Sequence, residues 1–228
     1  MKETIKVGII GTGNCAKSLV EGVQYYTEHT EATTGMMKFD IGGYKAEDIE
    51  FTVGFDVDER KVNLPLGEAL KQKPNCSWNI VENIESTAPV YEAPVIDGYA
   101  NLMDRYPESN RFLISEELRN STDMNRVSWT SKLERKWKDS IIEKLKEHNV
   151  EVLVNYLPVG SQKTTEFWAE ICLETGISFV NCIPVFIASD PKWEQRFIDA
   201  GIPLIGDDMR SQYGASIISQ MLQELEFE

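Results

Sequence analysis

The sequence has few of the residues that bind metals or form disulfides. Its 228 residues include two histidines and four cysteines. The cysteines, none of which belongs to a C-x-x-C pair, are Cys15, Cys76, Cys172 and Cys182. This pattern argues against a zinc site or a disulfide framework and suits buried thiols in a reducing compartment. His29 and His148 are better explained as a loop residue and a helix terminus than as ligands or bases, so we expect no metal site.

Long apolar runs and positive charge are also scarce. No stretch approaches the roughly 18 uninterrupted apolar residues of a membrane helix, and a glycine turn interrupts the first strand where a secretory leader would continue. The 37 acidic side chains outnumber 23 basic ones, for a net charge of −14, which would repel nucleic acid and anionic membranes. We therefore expect a cytoplasmic protein that binds neither, and in which a phosphorylated ligand needs a locally positive site.

The chain begins with an apolar strand that runs directly into a glycine turn and a helix. Gly11 permits the sharp turn, Gly13 lets the backbone approach phosphate oxygens, and Ala16 replaces the usual third glycine where helix packs against strand. The N-terminus of the helix points unpaired N–H groups at the anion. The pattern predicts a dinucleotide site, the alternative being a purely structural turn. Its predicted cofactor-binding residues are Gly11, Thr12, Gly13, Asn14, Cys15 and Ala16.

A second predicted strand, residues 51–56, ends in Asp56. In a dinucleotide-binding fold an acid at this position accepts hydrogen bonds from the adenosine ribose and disfavours the extra phosphate of NADP. Asp56 lies much more than about 20 residues beyond the glycines, so residues 27–49 must be an insertion for this assignment to hold. The alternative is that Asp56 only caps the turn that follows it, because Asp is favoured in such turns.

The remaining pattern alternates between strands and helices. From about residue 61 to 130 prolines interrupt short apolar pieces, which predicts irregular connections with one helix near 65–71, before a clearer helix over 129–147. Three strand, loop and helix units follow, with strands predicted at 150–155, 177–181 and 202–205. They indicate a single α/β domain, 1–228, with a Rossmann-like, doubly wound, mostly parallel sheet. Its ligand crevice lies at the carboxyl ends of the strands, where we expect Asn155, Asn181, Asp207 and Asp208.

Several colinear motifs resemble the myo-inositol-phosphate synthase family in its shorter prokaryotic form. They are G-T-G-N-C-A-K-S-L-V-E-G at 11–22, F-D-V-D at 55–58, V-N-Y-L-P-V-G-S at 154–161, N-C-I-P-V-F-I-A-S-D-P at 181–191 and G-D-D-M-R-S-Q at 206–212. The resemblance covers nearly the whole chain and is weakest between 61 and 147. It implies an isomerase, an inositol-3-phosphate synthase, that converts glucose 6-phosphate to inositol phosphate with bound NAD as a recycled oxidant.

The resemblance also implies roles for residues of the second half. The reaction would proceed by oxidation, enolisation, intramolecular aldol closure and reduction, for which Asp208 and Ser211 would be the catalytic residues. Asn155 and Pro158 would line the cofactor groove, and Asp190 would lie in the loop that closes over it. Ser211 is equally well explained as the N-cap of the last helix, and Asp190, which precedes a proline, as a helix start.

The sequence departs from the family in its positive charge. The similar enzymes continue into a region that supplies catalytic lysines and builds the tetramer, a region absent here, and Arg210 stands where the family often has a lysine that can titrate. Lys17 and Lys163, in first helical turns, are expected to face solvent or phosphate. We therefore expect a fragment, one part of a split enzyme, or a shortened relative that only binds NAD. As its partner we expect further copies of the chain in a homo-oligomer, or a chain encoded downstream. Alternative functions are a non-catalytic NAD(H)-binding subunit and a simple NAD-linked dehydrogenase.

Overall fold

Within the part of the chain that the structure describes, six parallel strands form one sheet. A computed structural model describes residues 4–32, 35–36, 38–122 and 131–208. The strands are β1 (Ile5–Ile10), β2 (Ile49–Asp56), β3 (Val90–Glu92), β4 (Val152–Asn155), β5 (Ser178–Asn181) and β6 (Leu204–Ile205). They lie in the order β3-β2-β1-β4-β5-β6, with every neighbouring pair parallel. This is the strand order of the doubly wound dinucleotide-binding fold, so the predicted fold class is confirmed.

Helices connect these strands across both faces of the sheet. They are α1 (Asn14–Glu28), α2 (Leu66–Ala69), α3 (Glu116–Thr122), α4 (Ser131–Glu147), α5 (Gln162–Thr175) and α6 (Pro191–Ala200). Short 3-10 helices cover Ala46–Asp48, Asn101–Arg105 and Glu108–Asn110. The helices predicted up to residue 200 are therefore present, whereas Arg210, Ser211 and the predicted last helix lie outside the described residues. None of the helices within the described ranges is long and apolar enough to span a bilayer.

The central strands carry apolar side chains on both faces, as buried parallel strands do. Consecutive residues of β1 point to opposite sides: Ile9 packs in a cluster with α1 and α2, and Ile10 packs in a cluster with α4, α5 and α6. The second cluster includes Trp168, whose ring centroid lies 5.0 Å from that of Phe55. Packing on both faces of the sheet fixes where the carboxyl ends of β1 and β2 lie, and so positions the loops that follow these strands.

The stretch expected to be irregular contains an unpredicted strand. β3 pairs with the end of β2 from Gly54 to Asp56, and the carbonyl of Pro89 accepts a hydrogen bond from the Gly54 N–H at 2.9 Å. A strand of three residues beside prolines has no periodicity to detect. These three residues form a strand because they pair with β2, which lies more than thirty residues earlier in the chain. Their own sequence gives no sign of it.

The glycine turn, residues 11–13, depends on the backbone freedom of its first residue. Gly11 has φ of +83°, and a Cβ there would lie 2.9 Å from the carbonyl oxygen of Tyr156. We predict that Gly11→Ala lowers the free energy of unfolding by about 1–3 kcal/mol, from strain and overpacking. The measurement is urea unfolding followed by circular dichroism.

Gly22, inside α1, provides the matched control, because a Cβ there would meet no atom within 4 Å. Gly22→Ala should raise stability by up to about 1 kcal/mol, since alanine favours helix. Equal stability of the Gly11→Ala and Gly22→Ala variants would contradict the requirement for glycine at position 11.

Candidate functional site

A cavity of about 370 Å³ lies at the carboxyl ends of β1 and β2, between the loops that follow β3 and β4. Its lining includes the glycine turn together with Asn14, and a group of apolar side chains, the apolar wall. The apolar wall comprises Val57, Val95, Phe112 and Ile114. A concave, mostly apolar site with a few placed polar groups is the usual form of a small-molecule site. Its position at the carboxyl edge is where open α/β sheets bind ligands.

The N-terminus of α1 opens toward this cavity without a cap. Gly13 occupies the N-cap position, no side chain caps the helix, and its first turn contains no acidic residue. Within the described part of the chain, no group accepts a hydrogen bond from the amides of Gly13, Asn14 or Cys15. Such amides, together with the helix dipole, attract an anion.

Two other helices differ from α1 in this respect. At the start of α5, Asp97 accepts hydrogen bonds from the amides of Lys163 at 2.6 Å and Thr164 at 3.0 Å. At the start of α6, Asp190 accepts one from the amide of Lys192 at 2.8 Å. The protein's own carboxylates therefore satisfy these two N-termini, whereas no side chain among the described residues caps the N-terminus of α1.

Asp56 holds the glycine turn through its carboxylate. One oxygen accepts hydrogen bonds from the amide and hydroxyl of Thr12, at 2.8 and 2.5 Å. The other accepts from the amides of Val57 and Asp58, at 2.7 and 2.9 Å. These four donors use the usual acceptor capacity of a carboxylate. Asp56 therefore caps the turn that follows it, as the alternative interpretation expected. The ribose-binding role stays a prediction, and it requires the ribose hydroxyls to share carboxylate oxygens that already accept hydrogen bonds.

Lys61 and Asn75 complete this cluster, and sequence reasoning missed both. The ammonium of Lys61, which is fully buried, donates to the Thr12 carbonyl at 2.8 Å and to Asn75 Oδ1 at 3.0 Å, and lies 3.8 Å from Asp56 Oδ2. Burial lowers the pKa of Lys61, and the Asp56 carboxylate opposes that shift. Both residues lie in the stretch without periodicity, where no local signal indicates a contact with the turn.

The loop 74–79 is anchored to the first turns of α1. Asn14 Oδ1 accepts hydrogen bonds from the amides of Cys76 and Ser77, at 2.8 and 2.9 Å. The ammonium of Lys17 donates to the Ser77 carbonyl at 2.8 Å and to Asn79 Oδ1 at 2.7 Å. The expectation that Lys17 faces solvent or phosphate is wrong, because this loop buries it.

A polar chain links the loops that follow β4, β5 and β6. Asn155 Nδ2 donates to Asn181 Oδ1 at 2.9 Å, and Asn181 Nδ2 donates to Asp207 Oδ1 at 2.7 Å. The Asp207 carboxylate also accepts from three consecutive amides, those of Ile187, Ala188 and Ser189. The structure therefore brings together the strand-end residues that the sequence placed at one edge, and they bind to each other.

The other predicted site residues divide into those at the cavity and those away from it. Gly11, Gly13, Asn14, Asp56 and Pro158 line the cavity. Buried supporting positions are taken by Thr12, Ala16 and Asn155, and Cys15 is exposed. Asp190 and Asp208 do not line the cavity.

The remaining predicted residues lie near or beyond the end of the described chain. Asp208, the last residue described, is half-buried and has φ of +51°. Ser211 lies outside the described residues. The exposed side chain of Lys163 agrees with the expectation that it faces solvent.

The hydroxyl of Thr12 offers a direct test of the Asp56 anchor. Thr12→Val keeps the shape of the side chain but removes a donor to a buried carboxylate, which should lower the free energy of unfolding by about 1.5–3 kcal/mol. Thr12→Ser keeps the donor and removes only a methyl group, so the free energy of unfolding should fall less, by about 1 kcal/mol. Urea unfolding of both variants measures the difference, and a larger loss in the serine variant would contradict the anchor.

The chain is similar over nearly its whole length to proteins named inositol-3-phosphate synthase. The protein of that name from Corynebacterium glutamicum is 39% identical over 224 residues, covering 97% of this chain and 55% of the relative. The one from Mycolicibacterium smegmatis is 38% identical over 223 residues, with the same coverage of both chains. A third, from Mycobacterium tuberculosis, is 36% identical over 223 residues. The chain spans about half the length of these curated relatives. No family model matches it.

Solved structures share the fold. A crystal structure of Ari2 is 27% identical with a TM-score of 0.73, covering 98% of this chain and 60% of its own. A myo-inositol-1-phosphate synthase-related protein from Thermotoga maritima is 20% identical with a TM-score of 0.68, covering 98% of this chain and 59% of its own. Both likenesses support the doubly wound architecture.

Proposed function

Because this chain is homologous over 97% of its length to inositol-3-phosphate synthases, we propose that it is the NAD-binding part of an isomerase that forms inositol phosphate from glucose 6-phosphate. The observation that carries the proposal is the uncapped N-terminus of α1, which adjoins a mostly apolar cavity at the carboxyl edge of the sheet. We further propose that the protein acts in the cytoplasm, with a partner chain or further copies of itself.

The residues present fit a dinucleotide. Unpaired amides at the glycine turn suit a diphosphate, and the apolar wall suits a purine ring. A Cβ at Gly13 would meet no protein atom within 4 Å, so the space beside the turn is open to a ligand. The cavity volume of about 370 Å³ is within the usual range for bound small molecules, roughly 300–1,000 Å³.

When bound, NAD would supply a hydride acceptor that oxidises one sugar carbinol and later returns the hydride, without net redox change. This chain's residues would bind and orient: the glycine turn holds the diphosphate, and the apolar wall excludes water around the purine. Pro158 lies on the cavity lining beside the turn. We assign proton transfer to Asp208 and Ser211 from the family resemblance, and a closing-loop role to Asp190 on the same basis.

The distribution of positive charge supports a cofactor-binding part over a self-sufficient enzyme. Of the described residues that line the cavity, Lys61 is the one with a basic side chain, and its ammonium is engaged by Thr12 and Asn75. Enolisation of a sugar phosphate requires positive charge over the developing oxyanion. We propose that this charge comes from outside the described residues.

Gly13→Val tests the anion site without disturbing the fold. The position has φ of −83° and free space around its Cβ, so the variant should fold, with a loss of about 1 kcal/mol because valine is a poorer N-cap than glycine. Its side chain would block the approach of the diphosphate, and the Kd for NAD should rise about tenfold or more. Isothermal titration calorimetry measures the binding, with Gly22→Ala as the control that keeps wild-type affinity. Unchanged affinity of Gly13→Val would remove the turn from the site.

A turnover assay separates the isomerase part from its alternatives. With glucose 6-phosphate and NAD, we expect this chain alone to bind NAD and to produce no net NADH. Inositol phosphate should appear once the proposed partner chain is added. Net NADH formation would favour a simple dehydrogenase, and NAD binding without product under either condition would favour a non-catalytic subunit.

A further inference from the structure

The carbonyl of Thr12 is held by two side chains from one segment of the chain. It accepts hydrogen bonds from Lys61 Nζ at 2.8 Å and from Asn75 Nδ2 at 3.0 Å. The two side chains are also bonded to each other, Lys61 Nζ to Asn75 Oδ1 at 3.0 Å, and both are buried. On the other side of the same residue, Asp56 holds the amide and the hydroxyl. The backbone of Thr12 is therefore fixed at both its N–H and its C=O.

The fixed carbonyl determines where the next amide points. The peptide between Thr12 and Gly13 is trans, and in a trans peptide the C=O and N–H groups point in opposite directions. The Gly13 N–H is therefore directed away from Lys61 and Asn75. Gly13 lines the cavity, and its amide has no acceptor among the described residues. If this peptide turned over, a carbonyl oxygen would replace the N–H and would repel an anion.

We infer that Lys61 and Asn75 are positioning residues that hold the Thr12 carbonyl inward so that the Gly13 N–H is presented to the phosphate of the ligand. This inference rests on the proposed function, because it specifies how that site is kept ready to bind. Neither residue needs to touch the ligand.

The contacts of Lys61 distinguish this role from two simpler ones. A direct phosphate ligand would keep its ammonium free, but two of its three donors are used by Thr12 and Asn75, and Asp56 lies 3.8 Å away. A space-filling core residue would be apolar, because a buried ammonium carries a desolvation cost that an apolar side chain avoids. The Lys61 ammonium instead donates to the carbonyl of the glycine turn and lies beside the Asp56 carboxylate, which holds the other side of Thr12.

The test compares two buried lysines with two ligands. Lys61→Met removes the contact with the turn, whereas Lys17→Met removes an equal charge and two hydrogen bonds, to Ser77 and Asn79, that do not involve the turn. Calorimetry measures the Kd of each variant for ADP, which has a diphosphate, and for adenosine, which has none. We expect Lys61→Met to weaken ADP binding about tenfold or more and adenosine binding less than about twofold. Lys17→Met loosens loop 74–79 and leaves the hydrogen bonds to the Thr12 carbonyl in place, so it should change ADP and adenosine binding by similar factors, within about threefold of each other.

Asn75→Ala extends the test if Lys61→Met fails to fold, because it leaves the bond from Lys61 to Thr12 in place. It should weaken ADP binding about threefold to tenfold. The Gly13 amide resonance gives a second measurement. In the wild type it should move downfield when ADP is added, as hydrogen-bonded amides do, and in the folded variant with the weaker binding this shift should be smaller at saturation.

The outcomes separate this inference from the proposed function. Wild-type ADP affinity in both Lys61→Met and Asn75→Ala would overturn the inference and leave the proposed function intact. An equal loss of ADP and adenosine affinity in Lys61→Met would also overturn the inference, because such a loss would indicate general damage to the cavity. If the wild-type chain binds neither NAD nor ADP, the proposed function and this inference are both wrong.

Discussion

The interaction on which the site depends is the one between the Asp56 carboxylate and the backbone of Thr12. It joins the end of β2 to the turn that follows β1, and these strands are neighbours in the sheet. Because the carboxylate is buried, leaving it without donors would cost more than its hydrogen bonds contribute to stability. The two strand ends and the glycine turn are thus coupled, and the direction in which α1 leaves the sheet follows from that coupling.

The proposed anion site belongs to a chain with a net charge of −14, so the negative groups near it must be engaged by donors of the protein itself. The structure achieves this by placement. Carboxylates occupy the N-termini of α5 and α6, through Asp97 and Asp190, while the first turn of α1 contains none. Asp56 and Asp97, the carboxylates that line the cavity, both accept hydrogen bonds from protein amides. The positive end of α1 is therefore not neutralised from within the protein.

The parts of this fold that could be predicted from sequence are those whose signal is local. The glycine turn and the buried strands β4 and β5 can each be recognised from a few consecutive residues, because a glycine motif and an apolar run are both short and continuous in the sequence. β3, Lys61 and Asn75 could not be found this way, because their partners lie far along the chain. Lys17 was misplaced for the same reason: its position in the first turns of α1 is visible in the sequence, but the loop that covers it is not. The role of Asp56 was ambiguous because the sequence shows the position of the carboxylate and does not show which groups donate hydrogen bonds to it.

The two sides of the carboxyl edge differ in how many of their hydrogen-bonding groups are already paired within the protein. On the side of β1 and β2, amides and an apolar wall remain open to a ligand. On the side of β4 to β6, Asn155, Asn181 and Asp207 satisfy one another, so these side chains rigidify the loops and leave few hydrogen-bonding groups for a substrate. The groups that remain available to a ligand among the described residues therefore lie on the side of β1 and β2, where the uncapped N-terminus of α1 adjoins the cavity.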